Sequence, residues 1–93
     1  MTFTFNDFMK EQMQDPEFRY EYEALEAEQE VMKSVVQERE RIGMTQKEFA
    51  EKTGLAVSEL NELECGYADP TIAMFIRLAE GLGMKLKIEL QPA

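Results

Sequence analysis

The chain has no histidine and a single cysteine, and these two shortages exclude several kinds of site. One cysteine cannot form a disulfide within the chain. Without histidine or a cysteine pair, zinc sites of the usual kinds are also excluded. The sequence has no glycine-rich phosphate loop and no paired nucleophile and base, so nothing in it indicates an enzyme. We therefore expect no catalytic residues, no metal site and no cofactor.

Long apolar runs are also missing. No stretch reaches the length needed to span a membrane, and the first residues, MTFTFNDF, lack a basic start followed by an apolar run. A chain of 93 residues that is 44% hydrophobic can form one modest core but not a second. We expect a single domain over residues 1–93, located in the cytoplasm, with neither a membrane partner nor a small-molecule substrate.

Basic residues are scarce, with 10 Lys and Arg against 19 Asp and Glu and a net charge of −9. Residues 1–41 hold five basic and eleven acidic residues, a net of −6, whereas residues 42–93 hold five and eight, a net of −3. Non-specific DNA affinity comes from Lys and Arg that displace counterions from phosphates, and here the supply is thin. Acidic surface of this kind suits a basic protein partner better than a duplex.

Residues 45–72, TQKEFAEKTGLAVSELNELECGYADPTI, predict two short helices joined by a glycine turn. Thr45 and Glu48 form a T-x-x-E capping box at the start of the first helix. Ala50 is small enough for the two helices to approach closely, and Gly54 can adopt the positive-φ conformation that reverses the chain. Two short helices joined in this way form a helix-turn-helix, a common means of placing a helix in the major groove of DNA.

Residues 42–83 are expected to form the core around this motif. Four apolar positions should lie between the two helices: Phe49, Leu55, Leu60 and Leu63. Gly66 ends the second helix, and Thr71 caps the next one. That helix should pack through Ile72, Phe75, Ile76, Leu78 and Ala79, and it should end at Gly81 and Gly83.

Residues 1–41 are predicted to form a helical extension ahead of this core. Asn6 can cap a short helix over residues 7–14, and Asp15 with Pro16 is a strong start signal for the next. From there the apolar residues recur at helical spacing: Phe18, Tyr22, Leu25, Met32 and Val36. Because the apolar pattern lapses near residues 26–30, the sequence leaves open whether residues 16–41 form one helix or two.

Residues 84–91 alternate in the manner of a strand. Four apolar residues fall on one face, and these are the predicted dimerisation residues: Met84, Leu86, Ile88 and Leu90. Lys85, Lys87 and Glu89 fall on the other face. A lone strand in a helical chain needs a partner, either a second copy across a two-fold axis or the sheet edge of another protein. A homodimer would also suit a DNA-binding protein, whose half-sites mirror its symmetry.

The segment TQKEFAEKTGLAVSELNELECGYADPTI resembles the lambda-repressor-like, or Xre-type, helix-turn-helix family. With DPEFRYEYEALEAE ahead of it and MKLKIEL at the end, the chain looks like the HigA-type antitoxins from Asp15 to Leu90. The resemblance implies a mainly α fold: a five- to six-helix DNA-binding domain with an N-terminal helical extension and one C-terminal β-strand. It also implies a protein that neutralises a small basic RNase toxin of the RelE-like superfamily and represses its own operon as a homodimer. The alternative is a free-standing Xre-type transcriptional regulator without a toxin partner.

The expected contacts with operator DNA lie on and around the second helix of the motif: Gln46, Lys47, Val57, Ser58, Glu59, Asn61 and Tyr67. Asn61 could read an adenine edge, Glu59 could accept from a cytosine amino group, and Val57 could touch a thymine methyl. Glu59 and Glu62 face phosphates, which lowers affinity unless basic residues offset them. Three further basic side chains could do so: Lys52, Arg39 and Arg41. Specific operator binding and weak DNA binding therefore both remain open.

Five aromatic residues and one methionine near the N-terminus are the predicted partner-binding residues: Phe3, Phe5, Phe8, Met9, Phe18 and Tyr22. The first four of these could instead fold back as local core, although 93 residues cannot easily bury so many additional aromatics. The acidic run over residues 17–30 could grip a basic toxin, or it could be a solvated helix face. Cys65 has no basic neighbour in the sequence to activate its thiol, so we expect it to be inert.

Overall fold

Residues 2–93 are described by the structure, a computed structural model, and they form five α-helices and no β-strand. The helices are α1 (Phe5–Gln12), α2 (Pro16–Arg41), α3 (Gln46–Thr53), α4 (Val57–Glu64) and α5 (Ile72–Gly81). Met1, which belongs to the predicted N-terminal extension, lies outside the described residues. The predicted mainly α fold with a helix-turn-helix is confirmed, and α3 and α4 are the two helices of the motif.

Helix α1 is capped by Thr4, two residues earlier than predicted. The Thr4 hydroxyl accepts from the Asp7 amide at 3.2 Å, and the Asp7 carboxylate accepts from the Thr4 amide at 3.1 Å. This reciprocal pair satisfies two backbone amides that a helix start otherwise leaves free. Asn6 therefore lies inside the first turn and is not the cap. Helix α1 buries no side chain.

Helix α2 is one continuous helix of 26 residues, about 39 Å long at 1.5 Å per residue. Asp15 caps it by accepting from the Glu17 amide at 3.1 Å, and Pro16 occupies the first helical position, as predicted. Met32 and Val35 are its buried residues, whereas none of residues 16–30 is buried. The C-terminal half of α2 thus belongs to the core, and the N-terminal half projects from it.

Helix α3 packs against α4 and α5, and these two helices pack against the C-terminal half of α2. The core comprises Met32, Val35, Phe49, Ala50, Leu55, Leu60, Leu63, Phe75 and Leu78. The four core positions predicted for the helix pair are all buried. On α5, Ile72 and Ile76 are instead 60% and 43% exposed. Ile76 lies about 100° around the helix axis from the buried Phe75, at the edge of the stripe that faces the core.

The turn between α3 and α4 has the predicted conformation. Gly54 adopts a φ of 74°, and its amide donates to the Ala50 carbonyl at 2.9 Å. The Arg77 guanidinium of α5 donates to the Thr53 carbonyl at 2.6 Å. The turn that sets the angle between α3 and α4 is therefore also attached to the last helix.

Gly81 is the last residue of α5, as predicted, but it has a second role. A Cβ at Gly81 would lie 2.7 Å from Thr53 Cγ2 and 3.0 Å from Phe49 Cε1, which is too close for either contact. The absence of a side chain at Gly81 therefore allows α5 to approach α3. Gly83 has a different reason to be glycine, because its φ is 73° and no neighbour crowds it.

The predicted strand over residues 84–91 is absent from the single chain. A strand is defined by ladder hydrogen bonds, and residues 2–93 offer no second strand to pair with. Leu86 is partly buried against the core, whereas Met84, Ile88 and Leu90 are exposed. The alternating pattern therefore does not divide these residues into a buried face and a solvent face within one copy.

Candidate nucleic-acid interface

The outer face of α4 is polar and open. The helix buries Leu60 and Leu63 on its inner side. Its exposed residues include four of the predicted DNA contacts and one further glutamate: Val57, Ser58, Glu59, Asn61 and Glu62. The Glu59 carboxylate accepts from the Ala56 amide at 3.4 Å, so it also caps its own helix. A second helix that exposes one face and is fixed on the other by the core has the geometry of a recognition helix.

Gln46, the first residue of α3, reaches across to α4. Its Nε2 donates to Asn61 Oδ1 at 3.4 Å and to Glu64 Oε1 at 3.3 Å. Cys65 Sγ donates to the same Asn61 Oδ1 at 3.8 Å. The structure thus brings together Gln46 and Asn61, two predicted DNA-binding residues that are 15 positions apart in the sequence.

A charge pair that the sequence analysis missed lies behind this group. Arg39 Nη2 is 2.7 Å from Glu64 Oε1, and Arg39 Nε is 3.2 Å from Glu64 Oε2. Arg39 Nη1 also donates to the Met44 carbonyl at 2.9 Å. Arg39 is therefore committed within the protein and is not a free phosphate donor. The sequence gives no signal for this pair, because Glu62 and Glu64 both adjoin the core residue Leu63 and only Glu62 is exposed.

Arg41 is also engaged, but at the surface. Its Nη2 lies 2.6 Å from Glu38 Oε1, and its Nε donates to Glu38 Oε2 at 2.9 Å. Hydrogen bonds from Arg41 lower the pKa of the Glu38 carboxyl and raise that of Arg41 itself. Lys47 and Lys52 are exposed on α3, and neither forms an ion pair within residues 2–93. These two lysines are the cations beside α4 that stay available to phosphates.

Tyr67, the remaining predicted contact, lies in the loop after α4. Its side chain is 83% exposed, and its amide donates to the Glu62 carbonyl at 2.8 Å. The loop backbone is therefore attached to the last turn of the recognition helix. A Tyr67 hydroxyl in this position is free to donate to a phosphate at the edge of the face.

The aromatics of the N-terminal extension lie on α1, on the segment before it and on the N-terminal half of α2. Phe3, Phe5 and Phe8 are 62%, 75% and 43% exposed, and Met9 is half-buried. The rings of Phe18 and Tyr22 stack with their centroids 6.2 Å apart. Phe18, Tyr22 and Leu25 follow a spacing of four and three residues, and Met32 continues the same line into the core. One apolar face of α2 therefore begins outside the hydrophobic core, at Phe18, and enters the core at Met32.

None of the helices in residues 2–93 is long and apolar enough to cross a membrane. The same residues contain no group of three or more His, Cys, Asp or Glu side chains arranged to hold a metal ion.

Comparison with known proteins identifies one family. The profile of a helix-turn-helix family, HTH_3, matches residues 35–88, which is more than half of the chain. The match starts in the C-terminal half of α2, covers α3, α4 and α5, and reaches into the C-terminal segment. Neither a curated protein nor a solved structure matches the chain.

Proposed function

The chain belongs to the helix-turn-helix family HTH_3, a family of DNA-binding transcriptional regulators, and we propose that it is the antitoxin of a toxin–antitoxin pair. In this proposal it represses its own operon through α4 and neutralises a small basic RNase toxin, of RelE-like type, through its N-terminal extension. A repressor acts where the chromosome is, so the proposal implies a cytoplasmic protein. The observation that supports the toxin half is the partly exposed apolar face of the N-terminal half of α2, which acidic residues border.

The DNA half of the proposal rests on the outer face of α4 and on the residues that flank it. Gln46 and Asn61 hold each other in place, and Lys47 and Tyr67 are exposed beside them. Glu59 and Glu62 are exposed on the same helix, so the electrostatic contribution to affinity is small. Binding of this kind must depend on base contacts more than on phosphate contacts, which favours one operator over bulk DNA.

The toxin half rests on the N-terminal half of α2 and on α1. On the N-terminal half of α2, Phe18 and Tyr22 are partly buried and stack on each other, and Leu25 is 47% exposed. This line of side chains therefore leaves part of its apolar surface uncovered within the chain. Glu21 and Glu28 lie within about 60° of this line on one side of the helix, at 100° per residue, so they border that side with negative charge. An apolar stripe with an acidic border is complementary to a basic protein that has an apolar groove.

The C-terminal segment supports a homodimer. Ile88 is 65% exposed and Leu90 is fully exposed, although both are large aliphatic residues. An open apolar groove of about 480 Å³ lies between α2 and this segment, and Leu86 lines it. Pairing of residues 84–91 with the same residues of a second copy would supply the missing ladder partner and cover this apolar surface. It would also place two α4 helices for two half-sites.

The proposal is tested by purifying the tagged full chain gently from its native host and identifying what co-elutes. The expected result is a stoichiometric small basic protein that arrests growth when it is expressed alone and is harmless when this chain is co-expressed. A chain that elutes as a partnerless dimer, with the neighbouring gene products harmless when expressed alone, would exclude the antitoxin role. That second result would leave a free-standing transcriptional regulator, consistent with the family match.

A further inference from the structure

We propose that α4 reads guanine through Asn61, although an asparagine in a recognition helix is more usually paired with adenine. The proposal rests on the DNA-binding half of the proposed function. It comes from the hydrogen bonds that Asn61 already makes within the protein. These bonds use its carbonyl oxygen and leave its amide nitrogen free.

Glu64 determines which side-chain atoms donate and which accept in the hydrogen bonds that link it to Gln46 and Asn61. This carboxylate is bound by the Arg39 guanidinium at 2.7 Å and 3.2 Å, and an ionised carboxylate can only accept hydrogen bonds. Gln46 lies 3.3 Å from the same carboxylate. Gln46 must therefore direct its Nε2 amide, and not its carbonyl oxygen, toward Glu64. The negative charge of Glu64 thus fixes the orientation of the Gln46 side-chain amide.

The same Nε2 of Gln46 donates to Asn61 Oδ1 at 3.4 Å. Cys65 Sγ, one turn further along α4, donates to this oxygen as well, at 3.8 Å. A side-chain carbonyl oxygen has two lone pairs, so these two donors occupy both of them. Asn61 is exposed, and what it can still offer to a ligand is the pair of N–H groups on Nδ2.

An amide group that can only donate hydrogen bonds fits guanine better than adenine in the major groove. Guanine presents O6 and N7, both acceptors, whereas adenine presents the N7 acceptor beside the N6 amino donor. A bidentate contact to adenine needs Oδ1 to accept from N6, and in this chain that oxygen is already used. Gln46 and Cys65 are therefore specificity-determining residues that act through Asn61, and Cys65 has a role that its reactivity alone does not suggest.

The proposal is tested by selection from a random duplex library with the full chain and with four variants. Asn61→Ala identifies the base pair that Asn61 contacts, as the position where preference disappears. The double variant Gln46→Ala with Cys65→Ala frees Asn61 Oδ1. Gln37→Ala, an exposed glutamine on α2, is the control for loss of a glutamine amide elsewhere. Lys33→Ala, an exposed lysine on α2, controls for the loss of a positive charge outside α3 and α4.

The native chain should select guanine at the position that depends on Asn61. In the double variant the ratio of adenine to guanine at that position should rise about tenfold, the size of one bidentate base contact. The two control variants should select the same site as the native chain. Selection of adenine by the native chain at that position would overturn the inference while leaving the DNA-binding function supported. An unchanged ratio of adenine to guanine in the double variant would also overturn the inference. If the native chain enriches no sequence at all, the proposed DNA-binding function fails, and the inference fails with it.

Discussion

Arg39 and Glu64 are 25 residues apart in the sequence, yet the guanidinium of one donates to both carboxylate oxygens of the other. Their side chains are 12% and 6% exposed. The contact joins the C-terminal half of α2 to the last turn of α4. Because Glu64 also accepts from Gln46, the pair connects the packing of the domain with the surface that we assign to DNA.

Replacing Arg39 with Met should lower the free energy of unfolding by about 3 kcal/mol, since Glu64 is then left unpaired in a largely buried position. Adding Glu64→Met should restore most of this loss, because a buried charge no longer remains. Both are measured by urea denaturation. Arg41→Met, at the exposed pair with Glu38, is the matched control and should leave the unfolding midpoint unchanged. A loss no greater for Arg39→Met than for Arg41→Met would contradict the account.

Substitution by Ala and by Asn should give opposite orders of stability at Gly81 and at Gly83. Gly81→Ala should cost about 1–3 kcal/mol, because its Cβ would contact Phe49 and Thr53, and Gly81→Asn should cost more. Gly83→Ala should cost about 1 kcal/mol through its positive φ, and Gly83→Asn should cost less, since asparagine tolerates that conformation. Thermal or urea unfolding of the four variants decides the order. An Asn variant at position 81 that is more stable than the Ala variant would show that close approach is not the constraint.

Ile88→Glu should convert the dimer to a monomer in light scattering. A charge on the apolar face of residues 84–91 would have to be buried at the two-fold axis without a partner. Ile76→Glu is the control, because Ile76 is also an exposed isoleucine but lies on α5. If Ile76→Glu gives the monomer and Ile88→Glu does not, the dimer contact lies on α5 and the assignment of the C-terminal segment is wrong.

Deletion of residues 2–14 should weaken the toxin complex roughly tenfold or more, because it removes the exposed aromatics of α1 and the segment before it. Isothermal titration with the co-purified toxin measures this loss. The unfolding midpoint of the chain should not change, since α1 buries no side chain. Deletion of residues 91–93, at the other end of the chain, should leave toxin affinity unaltered. Unchanged affinity after the N-terminal deletion would move the toxin contact to α2 or to the C-terminal segment.

Features that depend on neighbouring residues were predictable from the sequence. The Thr45–Glu48 capping box, the Gly54 turn and the Asp15–Pro16 start all form as expected, because each is decided within a few positions. The cap of α1 was misplaced because Thr4 and Asn6 are both good caps. Asp7, at the third helical position after Thr4, decides between them, since its carboxylate returns a hydrogen bond to the Thr4 amide.

Features that depend on distant residues were not predictable. The spacing of apolar residues indicates which side of a helix is packed, but it does not indicate where the helix ends. The Glu, Gln and Ala residues of the lapse at 26–30 are strong helix formers, so α2 continues without an apolar stripe. The Arg39–Glu64 pair needs the tertiary fold to bring α2 and α4 together. The alternation over residues 84–91 indicates a preferred conformation but cannot supply a second strand.

The most direct test of the central claim, that α4 binds a specific operator, is a fluorescence anisotropy titration. The full chain is titrated against the duplex upstream of its own gene and against a scrambled duplex, at moderate salt, beside the Asn61→Ala variant. We expect the native chain to bind its own duplex about a thousandfold more tightly than the scrambled one. The Asn61→Ala variant, with an unchanged unfolding midpoint, should lose at least about tenfold of the operator affinity. Equal affinity of the native chain for the two duplexes, or an unaltered titration for Asn61→Ala, would contradict the account.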